Sequence, residues 1–235
     1  MKIPTPPDNA SILYRGPMCS DKTGNMVMEI ERLRRKGDQC FIIFKPWFEN
    51  KPETKKHAEI FKSRTFPQEY VSIPIPVNHP EEIITISKSI AQKRARIDRI
   101  FIGESQFWTN AAALCSALEE IKKEAPLSIE GLNLVWDGTP FQTPLEIIRR
   151  KIVDIDVTLT ARCSIPRCTW HHATHSYKQF TNRHTNGPIV ELEKNKYLPM
   201  CFFHFNHYYN ECNIFEEKVL QETPNPELIY QEDIF

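Results

Sequence analysis

An α/β fold, with a mostly parallel sheet and helices on both faces, is predicted by three features of this 235-residue sequence. Short runs of continuous apolar residues alternate with helix-period segments, as expected for strands buried on both faces. The first of these runs enters a turn-rich loop whose lysine opens a helix. From residue 154 the pattern changes to alternation followed by paired cysteines and histidines, which marks a second, smaller β-rich module.

Each element follows from its local pattern. Residues 11–14 (Ser-Ile-Leu-Tyr) read as a strand, and Lys22 starts a helix with Met26, Ile30 and Leu33 at helical spacing. Residues 40–45 form an apolar strand, 70–75 a weaker one, and 80–96 a helix rich in basic residues, including Lys88, Lys93, Arg94 and Arg96, on a solvated face. Strands at 99–102 and 132–136 and helices at 109–124 and 144–150 complete the first domain, residues 1–150. Residues 154–162 alternate, and no helix is expected before the tail. The second module is expected over 151–215, and residues 216–235, acidic with two prolines, read as a flexible tail or docking peptide.

Composition narrows the function. The chain is long enough for one core plus a small module, and 40% hydrophobic residues suit a globular protein. A formal net charge of zero supplies no global field for nucleic acid or an acidic membrane. No apolar run reaches bilayer length and the Pro-rich start lacks a signal-peptide core, so a cytoplasmic location is expected. Seven cysteines, an odd number, argue against a complete disulfide framework.

Residues 16–23, Gly-Pro-Met-Cys-Ser-Asp-Lys-Thr, follow the phosphate-loop pattern G-x-x-x-x-G-K-[ST] except that Asp21 stands at the second glycine. Strand, tight loop and helix N-terminus aim backbone N–H groups and a positive dipole end at an anion. Gly16, Pro17, Met18, Cys19, Ser20, Asp21, Lys22 and Thr23 are therefore the candidate nucleotide-phosphate-binding residues, with Lys22 on the terminal phosphates and the Thr23 hydroxyl on magnesium. A carboxylate at Asp21 facing phosphate oxygens at about 5 Å would repel each unit charge by roughly 3 kcal/mol at an effective dielectric near 20.

In the second module Cys163 and Cys168 are spaced C-x4-C, and Cys201 and His204 are spaced C-x2-H. Two short-spaced pairs separated by a loop suit a tetrahedral structural zinc site. His171, His172, His175 and His207 are alternatives to His204.

Four segments in order resemble the cytosolic, zinc-containing kind of thymidine kinase: the phosphate loop; Phe-Ile-Gly-Glu-Ser-Gln-Phe at 101–107; Asp-Gly-Thr at 137–139 with Phe141 and Gln142; and the cysteine-bearing module, read as a substrate-closing lasso. The resemblance implies a phosphate-loop nucleoside triphosphatase-like fold and a kinase transferring the γ-phosphate of ATP, with magnesium, to the 5′-hydroxyl of thymidine. It implies Glu104 as general base, Lys22 stabilising the moving phosphoryl group, and Gln106, Phe107, Phe141 and Tyr197 around the nucleoside. Glu49 and Lys51 fall where the family has an acidic and a basic residue, and a homotetramer is implied in the same way.

This chain departs from the pattern at Asp21, at Gly103, where the family has a magnesium-organising aspartate, and at Leu192 and Glu193, where it has paired glycines. Two readings of the first two departures stay open: Asp21 supplies the lost magnesium-organising charge, or the chain is a pseudoenzyme acting as a binding or regulatory subunit.

Overall fold

The computed structural model describes residues 7–37, 39–48, 60–94, 96–178 and 197–211. Glu49, Lys51, Leu192, Glu193 and the segment 216–235 lie outside the described residues. In chain order the first elements are β1 (Ile12–Gly16), α1 (Lys22–Arg34), β2 (Phe41–Trp47), β3 (Ile60–Lys62), β4 (Glu69–Val71) and β5 (Ile73–Pro76). They are followed by α2 (Glu82–Arg94), β6 (Arg99–Ile102), a 3-10 turn (Ser105–Phe107), α3 (Ala111–Ile121), β7 (Leu127–Leu132), α4 (Gln142–Arg149) and β8 (Ile155–Thr158). Four short strands, β9 (Ala161–Arg162), β10 (His172–Ala173), β11 (His175–Lys178) and β12 (Tyr197–Met200), lead into α5 (Phe202–Glu211).

Six strands form one sheet in the order β5-β2-β6-β7-β1-β8, with every neighbouring pair parallel. Side chains of successive strand residues point to opposite faces, and both faces are apolar here. Leu13, Ile42, Phe44, Ile100, Ile102, Leu127 and Ile129 pack on one face with Ile83 of α2, Leu114 and Leu118 of α3 and Ile147 of α4. Ile12, Tyr14, Ile43 and Phe101 pack on the other with Met26, Val27, Ile30 and Leu33 of α1 and Phe61 of β3. The continuous apolar runs in the sequence thus reflect burial on both sides.

Several local readings shift. The strand expected at 132–136 is β7, Leu127–Leu132; Ser128, Glu130 and Gly131 break its apolar run, while the following residues turn back through a single bridge between Leu134 and Pro140. The segment 70–75 splits at Ser72: β4 pairs antiparallel with β3, and β5 joins the main sheet. The alternating segment after 154 contributes β8, the sheet's edge strand beside β1. Its alternation is that of an edge strand with one exposed face. The second module also contains a helix, α5, where none was expected.

A buried ion pair ties α1 to the sheet. Arg99, fully buried at the start of β6, lies 3.0 Å from the Glu29 carboxylate of α1 and donates to Ser128 Oγ at 2.9 Å. Ser128 in turn donates to Glu29 at 2.7 Å. The guanidinium also donates to the carbonyls of Asp8 at 2.7 Å and Ala10 at 3.0 Å, holding the entry to β1. Burial pushes the Glu29 carboxyl up and the Arg99 guanidinium down, and each group opposes the other's shift. Removing one partner of such a pair strands a charge at a cost of about 3–5 kcal/mol. Arg99→Met is therefore expected to lower stability by about that amount in urea unfolding, and adding Glu29→Leu to recover much of the loss.

Candidate functional site

The C-terminal ends of β1, β6 and β7 converge on one edge of the sheet, where open α/β folds bind their ligands. Gly16 ends β1 and opens the loop; a Cβ there would stand 2.5 Å from the Leu159 carbonyl oxygen and 2.7 Å from Ser20 Oγ, so only glycine fits. Cys19 and Asp21 both adopt left-handed backbone, with φ 62 and φ 58. Aspartate is among the residues that tolerate this region, so the turn keeps its shape without the second glycine.

The Asp21 side chain turns to the β3–β4 hairpin. Its carboxylate accepts from Thr65 Oγ1 at 2.7 Å and from Ser63 Oγ at 3.5 Å, and it lies against Gly24, where a Cβ would collide with it. Arg64, between these residues, reaches Cys19 Sγ at 3.4 Å. The repulsion expected of a carboxylate facing phosphates is thus met by a side chain hydrogen-bonded to the hairpin.

Lys22 is buried, and its ammonium donates to the Pro17 carbonyl at 2.7 Å. Burial pushes its pKa down, and the Glu130 and Glu104 carboxylates oppose that shift. Glu104 follows β6 in left-handed backbone, φ 51. Its carboxylate accepts from Gln106 Nε2 at 2.6 Å, while Gln106 Oε1 accepts from the Leu132 amide at 2.9 Å. Gln106 therefore anchors Glu104 to the end of β7. Phe107 is half-buried, edge-on to Phe48 with centroids 5.9 Å apart. Phe141 precedes α4, and Tyr197 opens β12; both are half-buried.

Sequence reasoning missed Glu130. This residue of β7 is 2% exposed, and its Oε2 accepts from Thr23 Oγ1 at 2.7 Å. Burial, with the nearby Glu104 charge, pushes its carboxyl up to about 7. A lone glutamate in Leu-Ser-Ile-Glu-Gly-Leu was the available signal, since a charge inside a strand buried on both faces is expensive.

Cys163 and Cys168 lie between β9 and β10, Cys201 follows β12, and His204 sits in the first turn of α5. Their ligand atoms all fall within 4.8 Å of one another, with Cys168 Sγ to Cys201 Sγ 3.8 Å, Cys163 Sγ to His204 Nδ1 3.4 Å and Cys201 Sγ to His204 Nδ1 3.2 Å. A tetrahedral ion bound at about 2.3 Å by sulfur and about 2.05 Å by nitrogen has edges near 3.8 Å and 3.6 Å. The cluster fits one. Of the alternative histidines, His175 stacks on Phe205 at 4.3 Å and hydrogen-bonds Thr174, and none of the four belongs to the cluster. The module reaches the phosphate loop directly, because Ser176 Oγ of β11 accepts from the Met18 amide at 2.9 Å.

Phosphate loop, carboxylate at a strand end and Cys3His cluster together suit a nucleotide-binding α/β protein with a small module able to hold a metal ion. The thymidine kinase family model matches residues 10–205, and the chain belongs to that family. Comparison with curated proteins gave no match. Family membership implies thymidine kinase activity, phosphoryl transfer to an alcohol oxygen, with ATP as donor. Among the described residues no helix is long and apolar enough to cross a membrane.

Because its folded pKa is raised, Glu130 contributes stability that is fully present below its unfolded value of 4.5 and is lost as pH rises through about 7. The stability advantage of Glu130→Gln over the parent, measured by metal-free thermal or urea unfolding, is expected to grow by about 3 kcal/mol from pH 4.5 to pH 8.

Proposed function

We propose that this chain transfers the γ-phosphate of ATP to the 5′-hydroxyl of thymidine, with Glu104 as the base and Lys22 stabilising the transferred group. The observation that carries the reading is the chain of hydrogen bonds from the Leu132 amide through Gln106 to Glu104, which aims a strained carboxylate from the same sheet edge that carries the phosphate loop. Strain held by surrounding structure is typical of functional positions. A base must be held within hydrogen-bond reach of the proton it takes, and Gln106 supplies that constraint.

The loop amides and the N-terminus of α1 would bind the phosphates, and Lys22 would leave the Pro17 carbonyl for the terminal phosphate. In phosphoryl transfer most of the catalysis is positioning and charge stabilisation. Magnesium, when bound, neutralises charge on the β- and γ-phosphates, and the hard oxygen of Thr23 suits it. Phe107, Phe141 and Tyr197 would enclose the thymine ring. Zinc suits the Cys3His donor set, and its role would be structural: it would close the module that carries Tyr197 and Ser176 against the nucleotide edge. The homotetramer is carried over from the family resemblance, whereas the division into residues 1–150, 151–215 and 216–235 and the cytoplasmic setting rest on the sequence pattern.

Two measurements test this. Glu104→Gln is expected to lower kcat for thymidine by about 10²–10⁴-fold with little change in thymidine binding by calorimetry; a variant as active as its parent would remove Glu104 from the role of base. Metal analysis is expected to find one zinc per chain, lost in Cys201→Ser. Zinc loss is also expected to lower the melting temperature and weaken thymidine binding more than ATP binding.

A further inference from the structure

We propose that Glu130 is the carboxylate that organises magnesium in this chain, one strand away from position 103, where a strand-end aspartate is missing. The proposal rests on the kinase reading above. Phosphate-loop enzymes hold magnesium through the loop's Ser or Thr hydroxyl together with a carboxylate from a second conserved element, commonly an aspartate at a strand end. With Glu104 engaged by Gln106, three positions are left for that carboxylate: 21, 103 and 130.

Asp21 is committed elsewhere, to Thr65 and Ser63 of the hairpin. Gly103 carries no side chain, and the space in front of it is filled: a Cβ there would already stand 3.3 Å from Lys45 Cγ and 3.3 Å from Phe61 Cε2. Phe61 is itself buried in the core beneath the hairpin. A side chain at 103 would need Lys45 and Phe61 to give by a few tenths of an ångström.

Glu130 meets the requirement by register. Ile102 of β6 pairs with Ile129 of β7, so the next level places Glu130 beside Gly103, and on its other side Glu130 pairs with Tyr14 of β1. The carboxylate has moved one strand towards the phosphate loop while keeping its height on the sheet. Its Oε2 and Thr23 Oγ1 are 2.7 Å apart. Adjacent oxygens around an octahedral magnesium, bound at about 2.05 Å, are about 2.9 Å apart, so the observed pair matches one edge of such a site. One hydroxyl donor is poor compensation for a carboxylate buried this deeply. The Lys22 and Lys45 charges offset part of its burial, and a divalent cation between Glu130 and Thr23 would add to them.

The test is ATP affinity of the full-length, zinc-loaded protein with excess magnesium and with EDTA, measured by calorimetry for the parent, Glu130→Gln and Glu130→Ser. Binding of manganese in the presence of ATP, followed by electron paramagnetic resonance, gives a second readout independent of turnover. In the parent, magnesium is expected to tighten ATP binding by about tenfold or more; in both variants that increment falls to about twofold or less, while affinity in EDTA stays the same or improves. Manganese binding weakens in parallel. A folded variant that keeps the full magnesium increment would falsify the assignment to Glu130 and leave the kinase reading standing. A parent protein that binds no ATP in either condition overturns the kinase reading, and this assignment with it.

Discussion

The placement of α1 on the sheet is the constraint from which the rest of the site follows. A phosphate loop works only if the helix after it is held at a fixed height, because Lys22 and Thr23 ride on its first turn. Here that height is set just past the middle of the helix by the Arg99–Glu29 pair, which locks α1 to β6 and β7 together through Ser128. Apolar packing alone, from Met26, Ile30 and Leu33, is non-directional and would allow the helix to slide. The ion pair and its hydrogen bonds specify one position, and the same guanidinium holds the carbonyls that lead into β1.

At the N-terminal end of the helix, charge is arranged around a buried lysine. Lys22 is out of water, which favours its neutral form, while Glu130 and Glu104 favour the ammonium. Burial and then the neighbouring Glu104 charge push the Glu130 carboxyl up. A site of this kind is under electrostatic tension until polyanion and cation arrive together. That tension explains why the Lys22 ammonium is found on the Pro17 carbonyl, a local acceptor that keeps it satisfied within the loop.

Two accessory elements press on the loop from outside the main sheet. The β3–β4 hairpin is tied to it through Asp21 and through the Arg64–Cys19 contact. The module that carries the Cys3His cluster is tied to it through Ser176 and the Met18 amide. Asp21 thereby acquires a structural reason: the residue that lacks glycine's freedom still accepts the left-handed turn, and its side chain serves as an anchor for the hairpin.

The amino-acid sequence by itself determined the parallel α/β architecture, the loop at residues 16–23, the Glu104 strand end and the three cysteines of the Cys3His cluster, because each is written in local periodicity or short-range spacing, while the choice of His204 among five histidines was made by the tertiary structure. The family assignment follows from those same motifs. Tertiary structure alone decided which way Asp21 faces, what fills the space before Gly103, and that Glu130 stands beside Thr23, 107 positions away in the chain. It also decided that Ile155–Thr158 extends the main sheet and that Ser176 touches the loop. Strand register sets these relations, and register depends on contacts between segments distant in sequence, which no local pattern records.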